Sequence, residues 1–200
     1  MEASAPTGPY IEPEPRDWQP RAMWVGARLL CGAAAFFSMA FVFAYFYLRS
    51  LNVNHAWKVG SVHPSMGLGV AIVLVLIASA GLLRIAGTQP MRTVSAGFGA
   101  LALALLALAL QVIEWFTLGF GPGSGGYASV FIGWTVLYMV LALGPMYWIE
   151  IQVASARRTR REGPGPAGAP MMAAEMEACS FFWMFYVAIG VLAFVILYVI

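Results

Sequence analysis

The sequence predicts an all-α, polytopic membrane bundle of five transmembrane helices, with the N-terminus in the cytoplasm and the C-terminus on the opposite side. Three observations lead there. Hydrophobic residues make up 61% of the 200 residues and charged residues 10%, with a mean hydropathy of +0.79. That leaves too little polar surface to cover a soluble globule. Five apolar runs of about 20 residues follow one another, each long enough to cross roughly 30 Å of hydrocarbon as a helix. The basic residues, finally, fall almost entirely on one side of these runs.

The first run, about Leu29 to Leu48, is bracketed by Arg28 and Arg49, whose long stems can snorkel to opposite interfaces. The second, about Met66 to Leu83, follows His63-Pro64, where proline suits the first turn of a helix, and stops at Arg84. The third spans about Val94 to Leu118. Its alternation of alanine with leucine exchanges one apolar type for another, so it carries no strand signal, and its length favours helix. The fourth spans about Val130 to Ile149 and the fifth about Ala178 to Ile200. The domain plan is therefore an extended cytoplasmic tail over 1–21 and one five-helix transmembrane domain over 22–200.

Five spans place the N-terminal segment and the second-to-third and fourth-to-fifth loops on one side. There lie Arg16, Arg21, Arg28, Arg84, Arg92, Arg157, Arg158, Arg160 and Arg161, against Arg49 and Lys58 on the other. The positive-inside rule assigns the arginine side to the cytoplasm. The net charge of +2 gives no reason to expect nucleic acid, because these arginines sit where topology alone puts them. The proline-rich, acidic N-terminal stretch has no apolar core and does not read as a cleavable signal. The tract Arg157 to Pro170 reads as a flexible connector, and the glycine-rich Gly119 to Tyr127 as a tight turn joining antiparallel neighbours. Cys31 and Cys179 fall at cytoplasmic helix ends, where neither a disulfide nor a metal site is expected.

Small residues at Gly32 to Ala35, Gly67, Gly69, Ala78 to Gly81 and along the third run suggest close helix approach. The phenylalanines of the first run and the rings Phe181 to Tyr186 suit lipid or a large partner subunit. Trp18, Trp24, Trp57, Tyr127 and Trp148 fit an interfacial aromatic belt. Glu114 is the carboxylate that lies clearly inside a span, with Gln111 three residues earlier on the same face. An intramembrane acid is a candidate functional group; it can equally reach interfacial water or a lipid headgroup, or bond Gln111 or a neighbouring helix. Glu150, Glu175 and Glu177 suit helix ends, and His55 and His63 lie in an outer loop. No histidine falls within a span, although membrane haem and copper sites usually need imidazole, so no cofactor is expected in this chain.

Four passages together resemble subunit III of the haem-copper (cytochrome c) oxidases in its short five-helix bacterial form: FAYFYLRS (Phe43 to Ser50), QVIEW (Gln111 to Trp115), GYASVFIGWT (Gly126 to Thr135) and EACSFFWMFY (Glu177 to Tyr186). The resemblance covers most of the chain, in order and spacing. It implies two helices plus a three-helix group around a lipid-holding cleft, beside a subunit I that carries the haem and copper. Subunit II, phospholipids and a larger respiratory supercomplex are the other implied partners, and a bacterial cytoplasmic membrane the implied location. Glu114 and Trp115 match a lipid-contacting site. The sequence departs from the family pattern where Ala34 replaces an acid, Tyr138 and Leu141 replace histidines, and Met184 and Val187 replace a histidine and an aspartate. These changes mark a divergent branch. The accessory protein of bacterial nitric oxide reductases shares the fold and the terminal-helix motif and is the nearest rival, and a free-standing transporter or membrane enzyme using Glu114 is the reading from a different class.

Overall fold

The computed structural model describes residues 18–52, 55–58, 63–163 and 168–200. Among them the fold is wholly helical. Helix α1 runs Trp18–Ser50, α2 Met66–Thr88, α3 Thr93–Thr117, α4 Gly126–Glu162 and α5 Gly168–Phe194. A 3-10 turn, Pro90–Arg92, joins α2 to α3, and a π-helical turn, Val195–Val199, prolongs α5. All five helices are long and apolar enough to cross a membrane, so this is a multi-pass membrane protein.

The helices overrun the apolar runs in ways hydropathy does not register. α1 begins at Trp18, inside the stretch expected as an extended tail, whose residues 1–17 lie outside the described ones. α4 continues thirteen residues past Ile149 to Glu162, turning most of the arginine tract expected as a flexible connector into helix. Its 37 residues make a rod of about 56 Å, against about 30 Å of hydrocarbon. Apolar length reports what crosses lipid, whereas alanine and arginine are good helix formers in water as well. Arg160 and Arg161 in the last turn oppose the helix dipole favourably. Gly163, at φ 86°, ends the helix as its N–H donates to the Thr159 carbonyl. α5 likewise starts ten residues before Ala178.

α2 packs on α3 over the longest seam. It is lined by Ala96, Ala100, Ala104 and Ala107, all buried, whose short side chains bring the two backbones together. The Ser79 hydroxyl crosses this seam to donate to the Ala100 carbonyl at 2.7 Å. α5 lies against α1, α2 and α4, and α3 pairs with α4 across the glycine-rich turn, as the sequence predicts. α1 and α2 at most graze each other, and α2 packs instead on α3 and α5. Of the glycines expected at close approaches, Gly69 faces the Tyr198 ring, while Gly32, Gly67 and Gly81 face open space.

The aromatic belt needs a similar correction. Trp18 is exposed and Trp24 and Trp148 are half-buried, but Trp57 and Tyr127 are buried in a cluster with Tyr45. Ring centroids there stand 5.0 Å apart for Tyr45 and Trp57 and 5.8 Å for Trp57 and Tyr127, in edge-on geometry. The loop bearing Trp57 folds back because its carbonyls serve α4: those of Ala56 and Trp57 accept from the N–H groups of Gly126 and Tyr127. These are first-turn donors that α4 itself cannot satisfy. Phe182, Trp183 and Tyr186 of α5 are also interior, while Phe36, Phe43 and Phe46 of α1 remain exposed.

Ser79 also accepts from the buried indole Nε1 of Trp183 at 3.1 Å, so one hydroxyl ties α5, α2 and α3 together. Replacing Ser79→Ala strands that indole donor and is expected to cost about 1–2 kcal/mol. Thermal unfolding in detergent of Ser79→Ala, Trp183→Phe and the double variant checks this; the second substitution should cost clearly less once the first is present.

Candidate functional site

Gln111 and Glu114 lie one turn apart near the end of α3, and both side chains are buried. In hydrocarbon a carboxyl group needs donors supplied by the protein itself. Gln111 provides one, its Nε2 donating to Glu114 Oε2 at 2.9 Å. The other comes from Tyr198 in the π-helical turn, whose hydroxyl donates to the same oxygen at 2.6 Å. Oε1 has no hydrogen-bond partner among the described residues. Both bonds converge on Oε2, so a proton can join or leave Oε1 without breaking either.

The position of Tyr198 is itself built. Its ring lies where a Cβ on Gly69 would stand 2.5 Å from it, so only glycine there lets α2 pass. Phe131 meets the ring edge-on, with centroids 5.4 Å apart. The preceding carbonyl, Leu197 O, accepts from the Tyr127 hydroxyl at 2.5 Å. A π turn widens the helix and loosens its own ladder, and Tyr127 engages the backbone at that point. Lys58 stands over the Tyr127 ring, 4.5 Å from its centroid. The loop bearing Lys58, α4 and the end of α5 are thus joined through a single tyrosine.

Beside this group lies a small cavity of about 40 Å³, reached by Gln111, Thr135, Tyr138 and Tyr198 and walled by Trp134, Ile72 and Leu76. Thr135 donates to the Phe131 carbonyl at 2.8 Å and accepts from the Trp115 indole at 3.0 Å. Further along, Tyr138 and Tyr186 form a reciprocal pair, with rings stacked at 4.6 Å. Each hydroxyl donates to the other residue's backbone carbonyl, at 2.9 Å from Tyr138 and 2.5 Å from Tyr186. Tyr138 and Tyr186 together are therefore a helix-to-helix clamp.

The two candidate site residues point in different directions. Glu114 has no exposed surface and faces α5, because that is where its donor lies; its carboxylate therefore does not meet lipid in this structure. Trp115 is half-buried and turns toward Thr135 of α4, so of the two it alone has surface to offer an acyl chain. The alternative in which Glu114 bonds Gln111 and a neighbouring helix describes the geometry. Tyr198, Tyr127 and Thr135 were not singled out as site residues. Depth was the available signal for Tyr198, since α3 and α5 both end on the same side of the bundle and place Glu114 and Tyr198 near the same level. Compared with known proteins, the chain matches no family model and no curated sequence.

Tyr198→Phe removes a hydrogen bond to a buried carboxyl group and is expected to cost about 1–3 kcal/mol. Gly69→Ala, which drives a methyl group into the Tyr198 ring, should cost a similar amount by overpacking. Because both act through one ring, the combined loss should fall well short of the sum when unfolding is followed in detergent.

Proposed function

We propose that this chain is an accessory, non-catalytic subunit of an aerobic respiratory terminal oxidase of the cytochrome c oxidase type, held in a bacterial cytoplasmic membrane. Haem and copper belong, on this reading, to a partner subunit I, which this chain stabilises, with subunit II, phospholipid and a larger respiratory supercomplex as further associates. Support comes from the four passages and from the way polar and aromatic groups are distributed.

One observation carries the reading furthest. α1 packs against α5 and α4 and leaves a ridge of large side chains turned outward. Leu29, Phe36 and Phe43 recur at seven-residue intervals and are 70%, 83% and 69% exposed. Residues so spaced stay on one side of a helix and form a seam for a neighbouring helix. In lipid such a seam draws on van der Waals packing, to which flat rings contribute large contact areas. Polar side chains buried in the bundle, meanwhile, are engaged in holding helices together: Ser79, Glu114, Thr135, Tyr138 and Tyr186 each bond to another helix. A chain with an inward-directed polar network and an outward-directed aromatic seam suits stabilising a larger membrane partner.

Purification from the native membrane in mild detergent tests this. A co-purifying subunit I with the reduced-minus-oxidised spectrum of an oxidase haem supports the proposal. A partner with haem and non-haem iron would instead favour the nitric oxide reductase relative. A haem-free, partnerless preparation whose liposome activity is abolished by Glu114→Gln would overturn the accessory reading. Phe36→Ala with Phe43→Ala should release the chain from its partner while leaving its own unfolding temperature nearly unchanged.

The orientation that goes with this location puts the N-terminus and nine arginines in the cytoplasm. Alkaline phosphatase fused after Ile200 should be active in a bacterial host, and green fluorescent protein at the same point dark.

A further inference from the structure

Where α4 leaves the hydrocarbon, one of its faces forms a groove with the start of α3. The groove, of about 540 Å³, carries Arg157, Arg158 and Arg161 over an apolar floor that includes Phe98 and Val153. Its α4 residues fall at intervals of three and four from Glu150 to Glu162, so they form one continuous helical face. Arg157 lies about 46 Å along the axis from Gly126, a length comparable with the roughly 40–45 Å of a bilayer with both headgroup layers. Phe98, 66% exposed, opens the groove toward the acyl region. Glu150 and Glu162 stand at its two ends, so guanidinium groups outnumber carboxylates three to two. Arg160 points away, its Nη2 donating to the Met91 carbonyl at 2.6 Å, which fixes this end of α4 against the turn between α2 and α3.

We propose that this groove is a binding site for an anionic phospholipid of the cytoplasmic leaflet, its phosphate held by Arg157, Arg158 and Arg161 and one acyl chain laid along Phe98. Guanidinium groups pair with phosphate oxygens in forked geometry, and the charge excess selects an anionic over a zwitterionic headgroup. The volume falls within the range of ligand pockets and exceeds what a bare phosphate needs. The site lies apart from Glu114 and Trp115, at the opposite end of α3, and does not depend on which complex the chain serves.

Native mass spectrometry of the full chain in detergent, titrated with dioleoyl-phosphatidylglycerol, dioleoyl-phosphatidylcholine or inorganic phosphate, tests the proposal. Phosphatidylglycerol should bind at least tenfold more tightly than phosphatidylcholine, and millimolar phosphate should not displace it. Arg157→Gln with Arg161→Gln should reduce its affinity about tenfold, while Arg84→Gln with Arg92→Gln, which removes equal charge on the same side, should leave it within about twofold. Phe98→Ala should weaken the diacyl lipid but not change its preference over phosphatidylcholine. Equal losses in the two double variants would indicate a diffuse surface attraction and overturn the site. Displacement by phosphate, or no preference between the lipids, would overturn it as well. Circular dichroism of each variant separates loss of binding from loss of fold.

Discussion

Hydrocarbon offers no hydrogen bonds, and that shortage organises the interior of this protein. A polar side chain within the bilayer must find its partner inside the bundle or remain unsatisfied at a cost of several kcal/mol. The main solutions here run between helices. Trp183 reaches Ser79, and Ser79 reaches the Ala100 backbone; Tyr138 and Tyr186 exchange hydrogen bonds; Trp115 reaches Thr135; Tyr198 reaches Glu114. Three of these four connections include α5, the helix that packs against α1, α2 and α4. Apolar packing alone would leave the helices free to slide and rotate, since lipid tails compete for the same surfaces. Directional bonds between particular atoms set the register that the alanine seam and the glycine contacts then allow.

The features legible in the sequence are those that depend on the bilayer as a slab. Apolar length sets the number of crossings, so five helices could be read directly, and the antiparallel pairing of α3 and α4 followed from a short glycine-rich turn. Helix ends were less accessible. Ile151 to Glu162 is helical because its residues favour helix in water too, whereas the neighbouring proline and glycine drew attention to a break that occurs only at Gly163. The burial of Trp57 and Tyr127 depends on a loop folding over the end of α4 to complete its hydrogen bonds. A window of local sequence contains no trace of that arrangement.

The candidate site divides in the same way. Glu114 stood out because an acid inside a span demands an explanation, and Gln111 because helical spacing puts it alongside. Tyr198 lies 84 residues further on, and its approach needs a glycine on a third helix. Nothing local to Glu114 encodes that. The seam on α1 and the α4 side of the arginine groove present the opposite situation: each consists of one helical face, so spacing reveals its members, but only the packed bundle reveals which faces are left uncovered.

That same separation along the chain has a consequence for how the protein is made. At synthesis rates of about 5–20 residues per second, Tyr198 emerges roughly 4–17 seconds after Glu114. Of the two donors that Glu114 has in the folded protein, only Gln111 lies on its own segment and has been made by then. The tyrosine can complete the arrangement only after the fifth helix has been made.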